Sequence, residues 1–309
     1  MLDKKQKFHS KKFILAITVF TVLVFCFFSA DNVLAELSSI WTMAFKELPL
    51  MTSPAKCPPD MVWVAAGKFC IDKYEASNGG GLYYVDINGD GDTADIAVNV
   101  YGDGTTWNET TATAKAVSVY NATPWVSLNQ VQAKAACLAA GKHLATNYEL
   151  LLAAKGTPDP HSSDPGDDSE PCNIWTNSKP SGSTWSVENQ AIKTGTATSC
   201  VSTAGAYDLI GNVWEWADNV IYNGLHPATG VALPAQNYIR GLDIYGLPTS
   251  TGSSTADYNY DHFWISASGY RGFIRGGRWG SGAYAGLFAL GLSNAPSYAS
   301  TNLGFRCAK

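Results

Sequence analysis

Six cysteines follow an apolar leader in this chain of 309 residues, and they restrict its fold more than any other feature. They are Cys57, Cys70, Cys137, Cys172, Cys200 and Cys307; Cys26 lies inside the leader itself. An even number of cysteines in an exported chain indicates disulfides. Their spacing shows no metal-ligand pattern and the histidines are scattered, which argues against a zinc site. Six cysteines permit many connectivities. Proximity along the chain suggests Cys57–Cys70 and Cys172–Cys200, which leaves Cys137–Cys307 to tie the first helix to the C-terminal strand.

Export is read from the N-terminus. Lys4, Lys5, Lys7, Lys11 and Lys12 form a basic region, Phe13 to Ala30 is almost wholly apolar, and Val33, Leu34 and Ala35 offer a cleavage site before Glu36. Residues 1–35 therefore read as a secretory signal peptide or, if uncleaved, a membrane anchor. No lipobox surrounds Cys26, so lipidation is not expected. The expected location is extracellular or at the cell surface. Residues 36–56 read as a linker, and 57–309 as the folded domain. With 21 basic against 26 acidic side chains the net charge is −5. That balance gives no electrostatic case for nucleic acid, and membrane contact is expected only through the N-terminal segment.

Within 57–309 the pattern is α+β: two short helices, short strands and long irregular loops. Met61 to Asp72 reads as two strands around a turn at Gly67. Ser127-Leu-Asn-Gln130 and Thr146-Asn-Tyr-Glu149 read as capping boxes. They start helices that stop at Gly141 and near Gly156. Residues of about 78–122 and 223–262, rich in Gly, Asp, Thr and Tyr, read as insertions. In the first, Asp86 to Asp92 resembles half of a calcium loop, with Ala97 where a bidentate Glu belongs. Asn108 and Asn121 open glycosylation sequons.

The C-terminal stretch from Arg275 to Arg306 interleaves two kinds of position. Trp279, Phe288, Leu290, Leu292, Pro296, Leu303 and Phe305 read as core and turn determinants. Between them lie Arg278, Gly280, Ser281, Tyr284, Gly291, Ser293, Tyr298, Ala299 and Ser300. These are small, polar or aromatic, with little propensity in common. A fixed frame around chemically miscellaneous positions suggests a display surface.

Three clusters carry a resemblance. They are Cys57-Pro-Pro-Asp-Met-Val-Trp-Val with Phe69-Cys-Ile-Asp-Lys-Tyr-Glu75, then Gly141-Lys-His-Leu, then Gly211-Asn-Val-Trp-Glu-Trp216 with Arg275-Gly-Gly and Gly304-Phe-Arg306. In this order they resemble the formylglycine-generating-enzyme, or sulfatase-modifying-factor, family over roughly 57–309. The resemblance implies a C-type-lectin-like fold. It also implies a structural Ca²⁺ held by Asp208, Gly211, Val213 and Glu215. A second calcium tract of the family resembles Asn173-Ile174. The family's enzymes bind copper through a cysteine pair at positions that fall near Ser281 and Gly286. No cysteine lies between Cys200 and Cys307, and a thiolate is indispensable to that chemistry. No copper and no enzyme activity are therefore expected.

The stretch 278–300 also resembles the variable repeat of proteins diversified by diversity-generating retroelements, which points to a prokaryotic or phage-associated source. Every miscellaneous residue named above is reachable by mutating the adenines of an AAY codon. The expectation is a receptor-type protein that binds an as yet unidentified protein or surface ligand through 278–300. The alternatives are a formylglycine-generating-type oxidoreductase and a calcium-dependent sugar-binding lectin. The first lacks its thiols here. The second commonly uses Glu-Pro-Asn or Gln-Pro-Asp, and neither tripeptide occurs.

Overall fold

Met61–Val64 (β1) and Phe69–Asp72 (β2) pair antiparallel, in register from Met61 opposite Asp72 to Val64 opposite Phe69. The turn between them closes with Lys68 in the left-handed region, its N–H donating to the Val64 carbonyl at 2.9 Å. The structure is a computed structural model that describes residues 57–87, 113–159, 171–174, 190–253 and 257–309. The leader, the linker, Asn108 and most of the loop starting at Asp86 lie outside the described residues. Among the described residues no helix is long and apolar enough to cross a membrane.

Both helices begin with a capping box. In the second, Asn147–Ala154 (α2), Thr146 and Glu149 exchange the bonds read from the sequence. In the first, Gln130–Ala139 (α1), the box is Asn129 with Gln132, two residues later than Ser127 with Gln130. Two boxes overlap in this sequence, and tertiary contacts choose between them. Ser127 adopts positive φ and its N–H donates to the Ser300 carbonyl. Gln130 turns its amide away to donate to the carbonyls of Ala217 (2.5 Å) and Asn219 (2.9 Å). That leaves the capping to the next candidate pair. Past the helix ends, Gly141 and Gly156 adopt positive φ, a conformation that glycine takes without Cβ strain.

Three sheets organise the strands. Cys307–Ala308 (β13) inserts between β2 and His143–Leu144 (β5), giving the order β1-β2-β13-β5. The chain's end is thus built into its beginning, and Cys137–Cys307 bolts α1 to β13. Cys57–Cys70 and Cys172–Cys200 are the other disulfides. Ala76–Asn78 (β3) pairs with Ala116–Ser118 (β4) at the foot of the first glycine-rich excursion.

The large sheet contains Trp214–Tyr222 (β6), Asn237–Leu242 (β7), Pro248–Gly252 (β8), His262–Ile265 (β9), Tyr270–Arg275 (β10), Leu290–Leu292 (β11) and Leu303–Phe305 (β12). Its order is β12-β6-β10-β11-β9-β7-β8, with β12–β6 and β11–β9 parallel and the remaining neighbours antiparallel. One apolar core gathers Phe69, Ile71 and Leu150 with Phe263, Phe273, Leu290 and Leu292. A second surrounds Trp216, Phe305 and the Cys137–Cys307 bridge. The architecture is α+β and C-type-lectin-like.

Trp214 and Trp216 are two residues apart on β6, so the pleat puts them on one face, and both pack in the second core.

Candidate functional site: a cleft above a locked frame

The frame comes first. Gly211 and Asn212 both take positive φ, and a Cβ at Gly211 would stand 2.5 Å from the Asn173 carbonyl oxygen. This close approach fixes a glycine before β6. Asn212 then gathers neighbours: its Nδ2 donates to Glu75 Oε2 at 2.6 Å, and its Oδ1 accepts from the Ile192 N–H at 2.8 Å. At the far end, the fully buried Arg306 donates Nε to both oxygens of Glu215 (2.9 and 2.8 Å). Its other nitrogens donate to the carbonyls of Tyr207 (2.8 Å) and Asp72 (3.2 Å). Arg275 donates to Asn147 Oδ1 (2.7 Å), the Gly246 carbonyl (2.7 Å) and the Phe288 carbonyl (2.9 Å). It joins α2, the loop before β8 and the C-terminal stretch. Burial lowers the Arg275 guanidinium to about 10.

Glu75, Asp208 and Glu215 crowd around Arg306. Burial, then the neighbouring Asp208 and Glu215 charges, hold the Glu75 carboxyl well above its ordinary range. Burial likewise pushes Asp208 up to about 7, against the Gly195 N–H bond and the Arg306 charge.

This arrangement bears on the implied Ca²⁺. A calcium shell needs six to eight oxygens. Glu215 commits both of its oxygens to Arg306, and Asp208 commits Oδ2 to the Gly195 N–H at 2.6 Å. Asp208 Oδ1 is the side-chain oxygen of the tract left without a hydrogen-bond partner. The Ca²⁺ implied by the resemblance would draw on the carboxylates of Asp208 and Glu215 and the main-chain oxygens of Gly211 and Val213; the Arg306 guanidinium stands beside those carboxylates. Among the described residues no group of three or more His, Cys, Asp or Glu is placed to hold a metal.

Above the frame a row of the large sheet opens into a cleft. The register places Trp264 opposite Gly291, Gly291 opposite Ile274, and Ile274 opposite Trp216. These four share one face, and Gly291 brings no side chain to it. A Cβ there would lie 2.6 Å from Ile274 Cγ1. The gap between Trp264 and Ile274 is the floor of a cleft of about 370 Å³. Its lining is Trp214, Trp264, Ile274, Arg278, Gly280, Ser281, Tyr284, Gly291, Ser293 and Asn294. Arg278, Gly280, Ser281, Tyr284, Gly291 and Ser293 are six of the nine residues expected to form the display surface. The other three lie on the loop between β11 and β12, outside this lining. There Tyr298 is 44% exposed, Ala299 is exposed, and Ser300 hydrogen-bonds Asn302.

The C-terminal segment is positioned by its glycines and a short turn. Gly276 and Gly277 take positive φ, and a Cβ on Gly276 would stand 2.5 Å from the Leu209 carbonyl oxygen. Arg278 and Ser281 exchange bonds, from the Arg278 N–H to Ser281 Oγ (3.0 Å) and from the Ser281 N–H to the Arg278 carbonyl (2.9 Å). A 3-10 turn, Gly282–Tyr284, then lifts the Tyr284 ring. Its neighbours come from elsewhere. Tyr238 on β7 packs against it at 5.7 Å with the rings tilted by 52° and hydrogen-bonds it, which raises the Tyr238 phenol above its ordinary value. Burial lowers His262, which lies between Trp264 (4.4 Å) and Tyr284 (5.2 Å). Trp264 meets Trp214 edge-on at 5.4 Å. Trp214 stands in the sequence only as part of the Gly211–Trp216 motif. Trp264, with Tyr238 and His262 packed behind it and Tyr284, belongs to no motif, and the one sequence signal for these three is aromatic density within and just beyond the second excursion.

The positions of the family's cysteine pair are also visible. Ser281 lines the cleft. At Gly286 a Cβ would overlap the Asp261 carboxylate and come within 2.7 Å of Asp159 Oδ1.

This cleft on a C-type-lectin-like scaffold defines the class. Residues 44–309 match the sulfatase-modifying factor enzyme 1-like domain, and the chain belongs to that family. No curated protein matches it. Among solved structures, the Major Tropism Determinant I1 variant is 18% identical with a TM-score of 0.38, over 82% of this chain and 52% of that one. The chain thus spans about half the length of that protein. PvdO from Pseudomonas aeruginosa is 18% identical (TM-score 0.36, 78% of this chain, 79% of that one). Treponema denticola variable protein 1 is 18% identical (TM-score 0.32, 82% and 99%).

Proposed function

We propose that this chain is an exported, ligand-binding receptor whose segment 278–300 is a diversified recognition surface, and that it is not an enzyme. One observation carries the reading: six of nine chemically miscellaneous residues, scattered over sixteen positions from 278 to 293, converge on the lining of one cleft. Residues interleaved with them, such as Leu290 and Leu292, are buried in the core. Tyr, Ser and Gly around an apolar hollow suit adaptable recognition, with aromatic contact area at low entropic cost. The absence of thiols near Ser281 and Gly286, and the Asp261 carboxylate against Gly286, support binding over oxidation. The N-terminal basic and apolar segment supports export.

Sequencing the locus across many clones of the source tests the reading. Substitutions should concentrate at Arg278, Gly280, Ser281, Tyr284 and Ser293, drawn from the AAY-reachable residues, with Trp279, Leu290 and Leu292 constant. Invariance across 278–300, with no near-identical template repeat nearby, would sink it.

A further inference from the structure

Resting on that reading of the cleft, we propose that this chain's cleft recognises a carboxylate borne next to an aromatic or aliphatic group: an acidic residue beside a hydrophobic one on a partner protein.

Three observations converge. First, the hollow is walled by rings and floored by an aliphatic side chain. Trp214 and Trp264 meet at 88°, and Trp264 and Tyr284 at 80°, and all three line a space of about 370 Å³, enough for one large apolar side chain. Second, the sole charge in its described lining is positive. Arg278 lines it and no Asp or Glu does. His262, behind the wall, is held towards its neutral form. Third, that cation has no ionic partner among the described residues. Its guanidinium lies 4.7 Å above the Trp279 ring. No ion pair among the described residues includes it, unlike Arg240 and Arg306.

A stacked guanidinium keeps its in-plane N–H edge open, and that fork matches a carboxylate bidentately. An aromatic box by itself would suit a cation. Here Arg278 would meet such a ligand as a like charge, so the same residue that recruits an acid excludes an ammonium group. The chain's overall charge of −5 gives an acidic partner no long-range attraction. Selection for the carboxylate is therefore local to Arg278.

The test uses two probes that share one ring. The full chain is titrated with N-acetyl-L-tryptophan, which carries a carboxylate, and with N-acetyl-L-tryptophanamide, which does not. Binding is followed by the indole N–H resonances of Trp214 and Trp264. The acid should bind about tenfold more tightly than the amide, the scale of one charge-assisted bond. Arg278→Gln should weaken the acid to the level of the amide and leave the amide unchanged. Equal affinity for the two probes, an acid affinity that Arg278→Gln does not alter, or no perturbation of either indole at millimolar acid would each overturn the proposal. None of these outcomes touches clonal variation at 278–300, so the display reading stands or falls separately.

Discussion

Three arginines within the C-terminal stretch live in two different regimes. Arg275 and Arg306 are buried, and all their described neighbours are fixed groups: an amide oxygen, main-chain carbonyls and one carboxylate. Arg278, three residues from Arg275, rests on a tryptophan face and has no ion pair among the described residues. The frame uses its polar groups to close itself. The cleft leaves its own available. A buried cation is tolerated only when partnered, so the frame arginines cannot change without their partners. Arg278 can change alone. This contrast is the physical condition for a protein that varies its contacts and keeps its fold.

The largest test of the contrast is Arg306→Ala. It strands Glu215, with Glu75 and Asp208 close by, and should cost about 3–5 kcal/mol of unfolding free energy, or prevent folding, by denaturant titration. A loss near zero would mean the frame is not locked. Gly291 sharpens the boundary between the regimes. By codon it belongs with the display residues; by packing it is floor, with Ile274 against its Cα. Gly291→Leu should fill the cleft and cost about 1–3 kcal/mol from overpacking.

Protonation probes the frame more gently. Asp208 is raised to about 7 and Asp72, buried despite its bond to Lys142, to about 6. Between the ordinary carboxylate range and these values the native state binds more protons than the unfolded chain. Stability should therefore fall as pH rises from about 4 to about 7. His262, lowered by burial, pulls the other way at acid pH, so the readout is the difference from Asp208→Asn. That variant should show a shallower decline. The smallest effects belong to the cleft rim. Arg278→Ser and Ser293→Asn should each move stability by no more than about 0.5 kcal/mol. Larger losses would place these residues in the frame.

What could be read in advance follows the same division. The α2 capping box was legible because Thr146 and Glu149 have no competing duties. The α1 box was read two residues early because Gln130 is claimed by β6, a contact across some 90 positions that no local pattern reveals. The frame motifs were legible because steric contacts leave glycine little alternative at 211 and 276. The display residues were picked out by what they lack, a shared propensity. Trp264 as a cleft wall has no such signal. It reaches the cleft through β9, with Tyr238 of β7 packed against Tyr284 behind it, and the parallel β11–β9 pairing has no signature in either strand alone. The pairing of Arg306 with Glu215 has no local signal, because the two lie 91 residues apart in sequence.

Gly286 has a consequence for the missing thiol. In the resembled enzymes a thiol stands near this place, and here the Asp261 carboxylate occupies the volume that any side chain at 286 would need. Burial, then the nearby Asp159, keep the Asp261 carboxyl well above its ordinary range, and its Oδ2 accepts the Phe288 N–H at 2.7 Å. A cysteine at 286 would therefore require the Asp261 side chain to move as well. While the Asp261 carboxylate stands there, position 286 is closed to every side chain, a thiol included.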